Sequence, residues 1–258
     1  MSQNPIIDVL MQRVSLRKYA ERSISQEHKE MILNAAMRAP TAGNMMMYSV
    51  IVIENQDTKD TLSKTCDNQP FIAEAPLIMI FAADLQRWYD YFELSSVGEY
   101  CKKRGLEFTG PSVAELFLGC SDALIAAQNA VIAAESLGIG SCYIGDIMEN
   151  YEIHRDLLAL PPYVFPIAML CLGYYPKGKR LQPKERFDTK YIVSEERYQR
   201  LEPVDLKAMF AQRESRVMPG NPYEAENFGQ FMYARKLGTD FAREMSRSIK
   251  KAMEGWYV

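Results

Sequence analysis

The sequence has few of the side chains, and none of the short motifs, by which many enzymes are recognised. It contains only two histidines in 258 residues. Gly138-Ile139-Gly140 continues without the third glycine of GxGxxG, and Gly140–Gly145 is followed by Asp146 where a Walker loop has lysine. HExxH and GxSxG are also absent. A Rossmann nucleotide site, a metal centre and a histidine-based triad are therefore not expected, whereas chemistry performed by a bound organic group needs none of these side chains.

The histidines and cysteines have no pattern typical of catalysis. His28 and His154 lie in polar helical stretches, and we expect both on the surface. The five cysteines are odd in number and form no CxxC pair, which argues against a disulfide framework or an iron–sulfur cluster. The N-terminus is polar and no apolar run reaches about 18 residues, so we expect a reducing cytoplasm and no membrane partner.

The composition is that of an ordinary globular protein. Hydrophobic residues make up 48% and charged residues 24% of the chain, with a net charge of -3. The length suffices for one large domain with a substantial core. The slight negative charge gives no reason to expect nucleic acid as a partner.

Helical and strand-like stretches alternate along the first two thirds of the chain, which predicts an α/β or α+β fold. The predicted strands are Tyr48–Ile53, Pro76–Ala83, Ser141–Ile144 and Val164–Gly173, and the predicted helices are Pro5–Gln12, Gln26–Arg38, Ser121–Leu137, Asn150–Leu158, Glu202–Ser215 and Glu224–Glu254. Pro166 inside a strand indicates a sheet edge or a bulge. We expect residues 1–195 to form a core and 196–258 a helical extension of the same domain, which packs on the core or on a second subunit.

Two short segments place cationic or hydroxyl side chains at every second residue. If residues 13–17 are extended, Arg13, Ser15 and Arg17 lie on one side, with the intervening apolar residues facing the core. Two guanidinium groups and a hydroxyl suit a phosphate dianion. Lys184 and Arg186 have the same spacing. The alternatives are a solvated basic edge and an ordinary charged loop.

Three further segments offer hydrogen-bonding groups at turns. Thr41 and Asn44 flank small residues that allow close backbone approach, although a plain helix-terminating turn is the commoner case. Residues 143–146 follow a strand, where backbone amides could face a ring nitrogen or simply begin the next helix. The Gln69 carboxamide could pair with an imide edge, or lie in a polar loop.

The order of these segments resembles the FMN-dependent nitroreductase family over residues 6–195. The phrases that support the resemblance are RVSLRKY, AAMRAPTAGN, NQPFIAEAPLIMIFAAD, AAESLGIGSCYIGDI and LCLGYYPKGKRLQPKER. The length of the tail is most similar to the larger flavin-reductase and NADPH-preferring branch. The resemblance implies an α+β, three-layer fold in which helices flank a central mixed β-sheet, with a C-terminal helical extension.

The resemblance also implies a set of FMN-binding positions. Those matching the phosphate, ribityl and pyrimidine contacts of the N-terminal segment are Arg13, Val14, Ser15 and Arg17. Those matching a turn supplied by the partner subunit are Thr41 and Asn44. Gln69 matches a contact to the pyrimidine edge, and Lys184 and Arg186 match the phosphate-binding pair. The positions matching the strip below the ring, where a backbone amide bonds the flavin N5, are Tyr143, Ile144, Gly145 and Asp146.

The activity implied is hydride transfer from NADPH or NADH through FMN to a small electron acceptor, such as a nitroaromatic compound, a quinone or a flavin, in ping-pong fashion. The resemblance implies a homodimer with clefts built from both chains. No catalytic side chain is expected, because the flavin N5 performs the chemistry. The alternatives are an FMN-binding protein without turnover, another flavin reaction such as reductive dehalogenation, and a structural domain without flavin.

Some positions depart from the family pattern or are open in role. Met45–Met47 stand where the family has other residues, and a soft methionine surface would affect the choice of substrate. Asp146 replaces a common glycine, and its carboxylate would lower the flavin potential or repel anionic substrates. Arg17 is a candidate for stabilising the reduced flavin. Arg213 and Arg216 either select the 2′-phosphate of NADPH or lie on a solvated helix end.

Overall fold

The computed structural model describes residues 4–178 and 181–256. Their Cα positions form two compact units. The first contains the chain up to Pro183 together with the part from Glu244 onward, and the second is Lys184–Arg243. These units divide the chain at residue 183 and again at residue 243, whereas the expected core and extension divide it once, after residue 195. Lys184 and Arg186 therefore belong to the second unit.

A four-stranded sheet is the centre of the first unit. Its strands are β1 (Tyr48–Ile53), β2 (Leu77–Asp84), β3 (Ile139–Ile144) and β4 (Val164–Tyr174), in the order β1-β2-β4-β3. All three neighbouring pairs are antiparallel, so the predicted mixed sheet is wrong for these four strands. Among the described residues, parallel pairing occurs only as an isolated bridge between Ser15 and Ser141. β2 and β4 are almost entirely buried, and apart from Asp84 at the end of β2 they are mostly apolar, because strands flank them on both sides and helices cover both faces.

Pro166 lies at a bulge in β4, which is a central strand and not an edge. Phe81 of β2 pairs with Ala168 and Ala82 pairs with Pro166, so the register shifts by one residue between them. The extra residue, Ile167, opposes no residue of β2 in this register. Proline has no N–H to donate to a sheet, and a bulge is where a central strand tolerates that loss.

Helices cover both faces of this sheet. The α-helices of the described residues are α1 (Pro5–Gln12), α2 (Gln26–Met37), α3 (Gln56–Thr65), α4 (Pro70–Ala73), α5 (Gln86–Leu94), α6 (Val97–Arg104), α7 (Val113–Ser136), α8 (Tyr151–Leu157), α9 (Pro203–Glu214), α10 (Phe228–Met232) and α11 (Asp240–Met253). Met79 and Phe81 pack with α2 and α7, whereas Ile78 and Ile80 pack with α3 and α4. Alternate β2 residues therefore face opposite helical layers, which confirms the three-layer α+β class.

α7 begins at Val113, eight residues before the predicted start. Ser112 caps it: the Ser112 hydroxyl accepts from the Ala114 N–H at 3.1 Å, and the Ser112 N–H donates to Glu115 Oε2 at 2.8 Å. By length and composition this helix could cross a membrane. Its alanines at positions 123, 126, 127, 130 and 134 are fully buried against the sheet and α2, which makes it the central helix of the core.

The single long helix predicted for Glu224–Glu254 is wrong. The structure has α10, a π-helical turn at Tyr233–Leu237 and then α11. Thr239 separates the π-helical turn from α11, because its hydroxyl accepts from the Ala242 N–H at 3.2 Å and caps α11. The end of this helix packs into the first unit, where Ala252 and Trp256 are buried.

Two paired glycines allow the N-terminal segment to pack closely on the sheet. Gly140 of β3 pairs with Gly173 of β4. A Cβ on Gly140 would lie 2.7 Å from Leu16 Cδ2, and a Cβ on Gly173 would overlap the Tyr19 ring and lie 2.9 Å from Pro76 Cδ. The segment therefore approaches the sheet as closely as it does because neither strand has a side chain there.

We predict that Gly173→Ala lowers the free energy of unfolding by about 1–3 kcal/mol, because the new methyl group overlaps the Tyr19 ring in a packed core. Urea denaturation measures the change. The matched control is Gly98→Ala in α6, where a Cβ would meet Phe108 at 3.8 Å and a helix gains from alanine. Equal stability of Gly173→Ala and the wild type would contradict the close packing of Tyr19 on Gly173.

Candidate functional site

The segment from Arg13 to Arg17 is extended and lies along β3. Ser15 forms a parallel bridge with Ser141, and the Leu16 N–H donates to the Ser141 carbonyl at 2.9 Å. Leu16 is 1% exposed and faces the core, as its place between Ser15 and Arg17 predicts. Val14, which the alternation also predicts to face the core, is instead half-buried and lines a pocket with Glu135 and Tyr175.

Arg13 has a buried donor without an acceptor. Its Nη1 is inaccessible to solvent and makes no hydrogen bond to any described residue. Burial raises the pKa of the nearby Glu135, and the hydrogen bond from Tyr175 and the positive charge of Arg13 oppose this rise only in part. Glu135 is itself bonded to the Tyr175 hydroxyl, 3.0 Å from each of its oxygens. A buried guanidinium N–H without a partner is costly, so this position fits a ligand that has acceptor oxygens, as FMN has.

Arg17 lies over an aromatic ring of the neighbouring helix. Its Cζ is 5.7 Å from the centroid of Phe71 in α4, and its side chain is exposed. A cation–π contact of this kind orients the guanidinium and leaves its N–H groups available. Arg17 is therefore placed beside the helix that begins directly after Gln69.

Gln69 is held by two hydrogen bonds from its amide nitrogen. Nε2 donates to the Cys66 carbonyl at 3.0 Å and to Asp146 Oδ2 at 2.6 Å. Both amide hydrogens are thus engaged inside the chain, and Oε1 is the part of the carboxamide left to accept. The sequence suggested that the Gln69 carboxamide both donates to and accepts from a ligand. In the structure both of its N–H groups bond atoms of this chain, so the carboxamide is left with its acceptor oxygen for a ligand.

The exit of β3 contains the last group of predicted residues. Tyr143 donates to Gln128 Oε1 at 3.4 Å, and Ile144 is buried at 2% exposure. Gly145 is exposed and precedes a 3-10 turn at Asp146–Met148. The N–H of Asp146 is at the first position of this turn and has no acceptor inside it. Through Gln69 and Phe71, the structure brings the β3 exit, the N-terminal segment and the start of α4 together.

His154 is not the surface residue that its polar neighbours indicated. It is fully buried, with Nδ1 2.8 Å from the Ile147 carbonyl and Nε2 2.7 Å from the Thr65 hydroxyl. Burial lowers its pKa. It joins α8 to α3 behind the β3 exit, and this structural role explains its position. His28 is bonded to the Tyr174 hydroxyl at 2.8 Å and is likewise no free surface group.

Thr41 and Asn44 belong to a tightly held turn elsewhere on the sheet. The Thr41 hydroxyl accepts from the Met46 N–H at 3.2 Å. Gly43, Asn44 and Met46 have positive φ angles of 57°, 56° and 50°. The sequence did not show what holds these residues in the left-handed region, which is unfavourable for methionine.

Three side chains that we did not single out from the sequence hold this methionine turn, residues 41–47. Asp122 of α7 is 2% exposed and accepts from the N–H groups of Ala42 at 2.9 Å and Met47 at 3.2 Å. Arg87 and Trp88 of α5 donate to main-chain carbonyls of Met46 and Met45 at 3.2 and 2.9 Å. An aspartate inside the apolar helix α7 was the available signal, because a buried carboxylate needs donors.

The methionine turn and the β3 exit are at opposite edges of the sheet. The turn leads into β1, whereas the exit follows β3, and the order is β1-β2-β4-β3. Three strand spacings correspond to about 14 Å. No hydrogen bond within the described residues joins Thr41 or Asn44 to Arg13 or Gln69, although Met45 of the turn and Met148 after β3 pack against the same hydrophobic cluster.

Lys184 and Arg186 line a cationic pocket in the second unit. The pocket has a volume of about 530 Å³ and its further cations are Arg213, Arg216 and Arg235. Glu185 neutralises one of them, through a 3.0 Å ion pair with Arg216. Arg213 Cζ lies 3.6 Å from the Phe187 ring centroid. Among the described residues, the other four cations of this pocket have no carboxylate partner. The pocket therefore suits an anion, and the Lys-x-Arg pair is more than part of an ordinary charged loop.

The comparison with known proteins assigns this chain to a family. Residues 10–174 match the sequence profile of the nitroreductase family, so the chain belongs to that family. It is 31% identical over 195 residues to an FMN reductase (NAD(P)H) of Bacillus subtilis, covering 76% of this chain and 75% of that protein. It is 30% identical over 206 residues to an oxygen-insensitive NADPH nitroreductase of Salmonella typhimurium, covering 80% and 78%. The structure of NfrA2 from B. megaterium superposes with a TM-score of 0.80 at 27% identity, covering 99% of each chain.

We predict that Asp122→Ala lowers the free energy of unfolding by about 2–4 kcal/mol, because the N–H groups of Ala42 and Met47 lose a charged acceptor. Urea denaturation measures this. Ser121→Ala is the matched control, since that exposed hydroxyl only bonds back to the Phe117 carbonyl of its own helix. A loss no larger than that of the control would show that Asp122 does not hold the turn.

Proposed function

We propose that the protein is an FMN-dependent NAD(P)H oxidoreductase of the nitroreductase type. FMN, when bound, accepts a hydride from NADPH or NADH at N5 and passes it to a nitroaromatic compound, a quinone or a flavin. The observation that supports this most directly is the buried, unpartnered N–H of Arg13 next to the β3 edge, in a chain of this family. No side chain is required to accept or donate the hydride.

The residues around the β3 edge bind and orient the cofactor in this proposal. Arg13, Ser15 and Arg17 supply donors and positive charge to the phosphate, ribityl and pyrimidine groups, and Val14 lies between them. Gln69 Oε1 accepts from the imide N–H. The strip of Tyr143, Ile144, Gly145 and Asp146 lies under the ring, where a backbone N–H donates to N5. The orientation of Gln69 by Asp146 supports this arrangement.

Lys184 and Arg186 bind a phosphate group in this proposal, and the cationic pocket of the second unit supports it. Arg213 already lies over Phe187, and Arg216 is paired with Glu185. Both remain candidates for the 2′-phosphate of NADPH, because an arginine that stacks or pairs through one edge retains further N–H donors.

We also propose a cytoplasmic homodimer with two clefts, each built from both chains. The strand order supports this, because it places the turn with Thr41 and Asn44 at the opposite edge of the sheet from the β3 exit of the same chain. The cysteines in the described residues are all free, as a reducing compartment would keep them. The partners are then a second copy of this chain and a small electron acceptor, with neither a membrane nor nucleic acid.

Steady-state kinetics test the function. Initial rates are measured against the NADPH concentration at several fixed concentrations of a quinone. The double-reciprocal lines should be parallel, because the first product leaves before the acceptor binds. A protein that binds FMN without turnover gives no reduction with either nicotinamide. Intersecting lines would contradict the ping-pong order.

We predict that Arg17→Ala weakens FMN binding at least about tenfold and slows FMN reduction, because a charge-assisted hydrogen bond to the flavin is lost. Fluorescence titration measures the affinity and stopped-flow absorbance the rate. Lys18→Ala is the matched control, since Lys18 is the neighbouring cation in the chain and is also exposed. Wild-type affinity and rate in Arg17→Ala would remove Arg17 from the site.

Mixing two inactive variants tests the shared cleft. Arg13→Ala damages the β3-edge half of the site and Thr41→Arg blocks the turn half. Random mixing makes half of the dimers mixed, and each mixed dimer has one intact cleft. We predict recovery of about a quarter of the wild-type FMN sites and activity. Sedimentation confirms that both variants are folded dimers, and activity no greater than that of the separate variants would contradict a cleft built from two chains.

A further inference from the structure

The Gln69 carboxamide is oriented by two neighbours that only accept hydrogen bonds. Its Nε2 donates to the Cys66 carbonyl at 3.0 Å and to Asp146 Oδ2 at 2.6 Å. A main-chain carbonyl and a carboxylate have no hydrogen to donate, so the NH2 end of the carboxamide must face both of them. The oxygen end, Oε1, is therefore turned away from both, and no donor among the described residues is bonded to it.

The main chain at Gln69 is held as well. Its N–H donates to the Ser63 carbonyl at 2.9 Å, and the Ser63 hydroxyl donates to the Gln69 carbonyl at 2.9 Å. Gln69 is the N-cap residue of α4, yet its side chain makes no capping hydrogen bond. The side chain therefore does not stabilise its own helix. Its shorter hydrogen bond is the charge-assisted one to Asp146, 77 residues away in the chain.

Asp146 belongs to a well-fixed part of the chain. It begins the 3-10 turn after β3, and the next residue, Ile147, is fully buried. The Ile147 carbonyl lies 2.8 Å from Nδ1 of the buried His154. The carboxylate is thus attached to a rigid main chain. Without it, the Gln69 carboxamide would keep only its bond to Cys66 and could turn about its last torsion angle, which has no sharp preference.

We propose that Asp146 is a positioning residue for cofactor recognition, which holds the Gln69 carboxamide so that the site selects a flavin with a free imide N–H. The inference rests on the proposed function, in which Gln69 contacts the pyrimidine edge of FMN. That edge has one N–H donor, at N3. An oxygen that is held in place pairs with this N–H and rejects a flavin methylated at N3, because the oxygen is then left without a donor.

The selection is tested by titrating the FMN-free protein with FMN and with FMN methylated at N3, and by comparing the two dissociation constants. The wild type should prefer FMN by at least about tenfold. Asp146→Leu, which cannot accept a hydrogen bond, should lower this preference to about threefold or less. Asp146→Asn should keep it, because its amide oxygen still accepts from Gln69 Nε2. Both variants keep the main-chain N–H of residue 146, which is assigned to the flavin N5.

The ratio of the two constants separates positioning from other roles of the carboxylate. A loss of folded protein weakens the binding of both flavins and leaves their ratio unchanged. If the negative charge were the cause, Asp146→Asn and Asp146→Leu would lose the preference alike, and that result overturns the proposal. Asp67→Asn is the matched control, since Asp67 is an exposed carboxylate two residues before Gln69 and its φ of 57° suits asparagine equally. This variant should keep the wild-type ratio.

The contact itself is tested without any flavin. In ¹H–¹⁵N NMR spectra, the side-chain NH2 signals of Gln69, assigned by their loss in Gln69→Glu, should exchange slowly with water in the wild type. In Asp146→Leu they should exchange at least about tenfold faster, because one N–H loses its acceptor. Equal exchange rates overturn the role of Asp146 whether or not the protein is a flavin enzyme.

The binding experiment distinguishes failure of this inference from failure of the proposed function. A wild type that binds FMN and its N3-methyl derivative equally overturns the inference and leaves the function standing. An Asp146→Leu variant with the wild-type preference does the same. A wild type that binds neither flavin overturns the proposed function, and the inference with it.

Discussion

The close approach of the N-terminal segment to two paired glycines is the contact on which the rest of the site depends. Leu16 lies over Gly140, and Tyr19 lies over Gly173, where any side chain would displace them. This contact fixes the main chain of residues 13–17 beside β3. The arginines are thereby placed next to the β3 exit, and the contacts of Arg17 with Phe71 and of Gln69 with Asp146 attach the start of α4 to the same place.

The opposite edge of the sheet is organised by a different buried group. Asp122 reaches from α7 to two N–H groups of the methionine turn, so the helix at the centre of the core also determines the shape of the turn. One element thereby couples the packing of the sheet to the position of Thr41 and Asn44. The strand order places this turn and the β3 exit at opposite edges of the sheet.

The strands and the first helix could be predicted from local patterns, because apolar runs and turn residues determine them. β1 and α1 occur at the predicted residues, and β2 and β4 end within one residue of the prediction. Features that depend on tertiary contacts were missed. The polar neighbours of His154 concealed that its own ring faces the core, and the partners of Asp122 are 75 and 80 residues away in the chain. The break before α11 depends on a single cap at Thr239.

The features of the candidate site were likewise predictable only in part. The chemistry of Arg13, Ser15, Arg17 and Gln69 could be read from residue types and spacing, but the engagement of both Gln69 amide hydrogens could not. The burial of Glu149 was also missed, because a glutamate at the polar start of a helix gives no sign of burial. The assignment of FMN contacts to individual residues, including Lys184 and Arg186, stays a prediction.

The visible absorption spectrum tests the central claim, a flavin oxidoreductase, most directly. The protein is mixed with FMN, desalted, and measured before and after anaerobic addition of NADPH. The account predicts flavin bands that are retained through desalting and then bleach. A colourless protein after desalting would contradict the cofactor and the site, and retained bands that neither NADPH nor NADH bleaches would contradict the reaction.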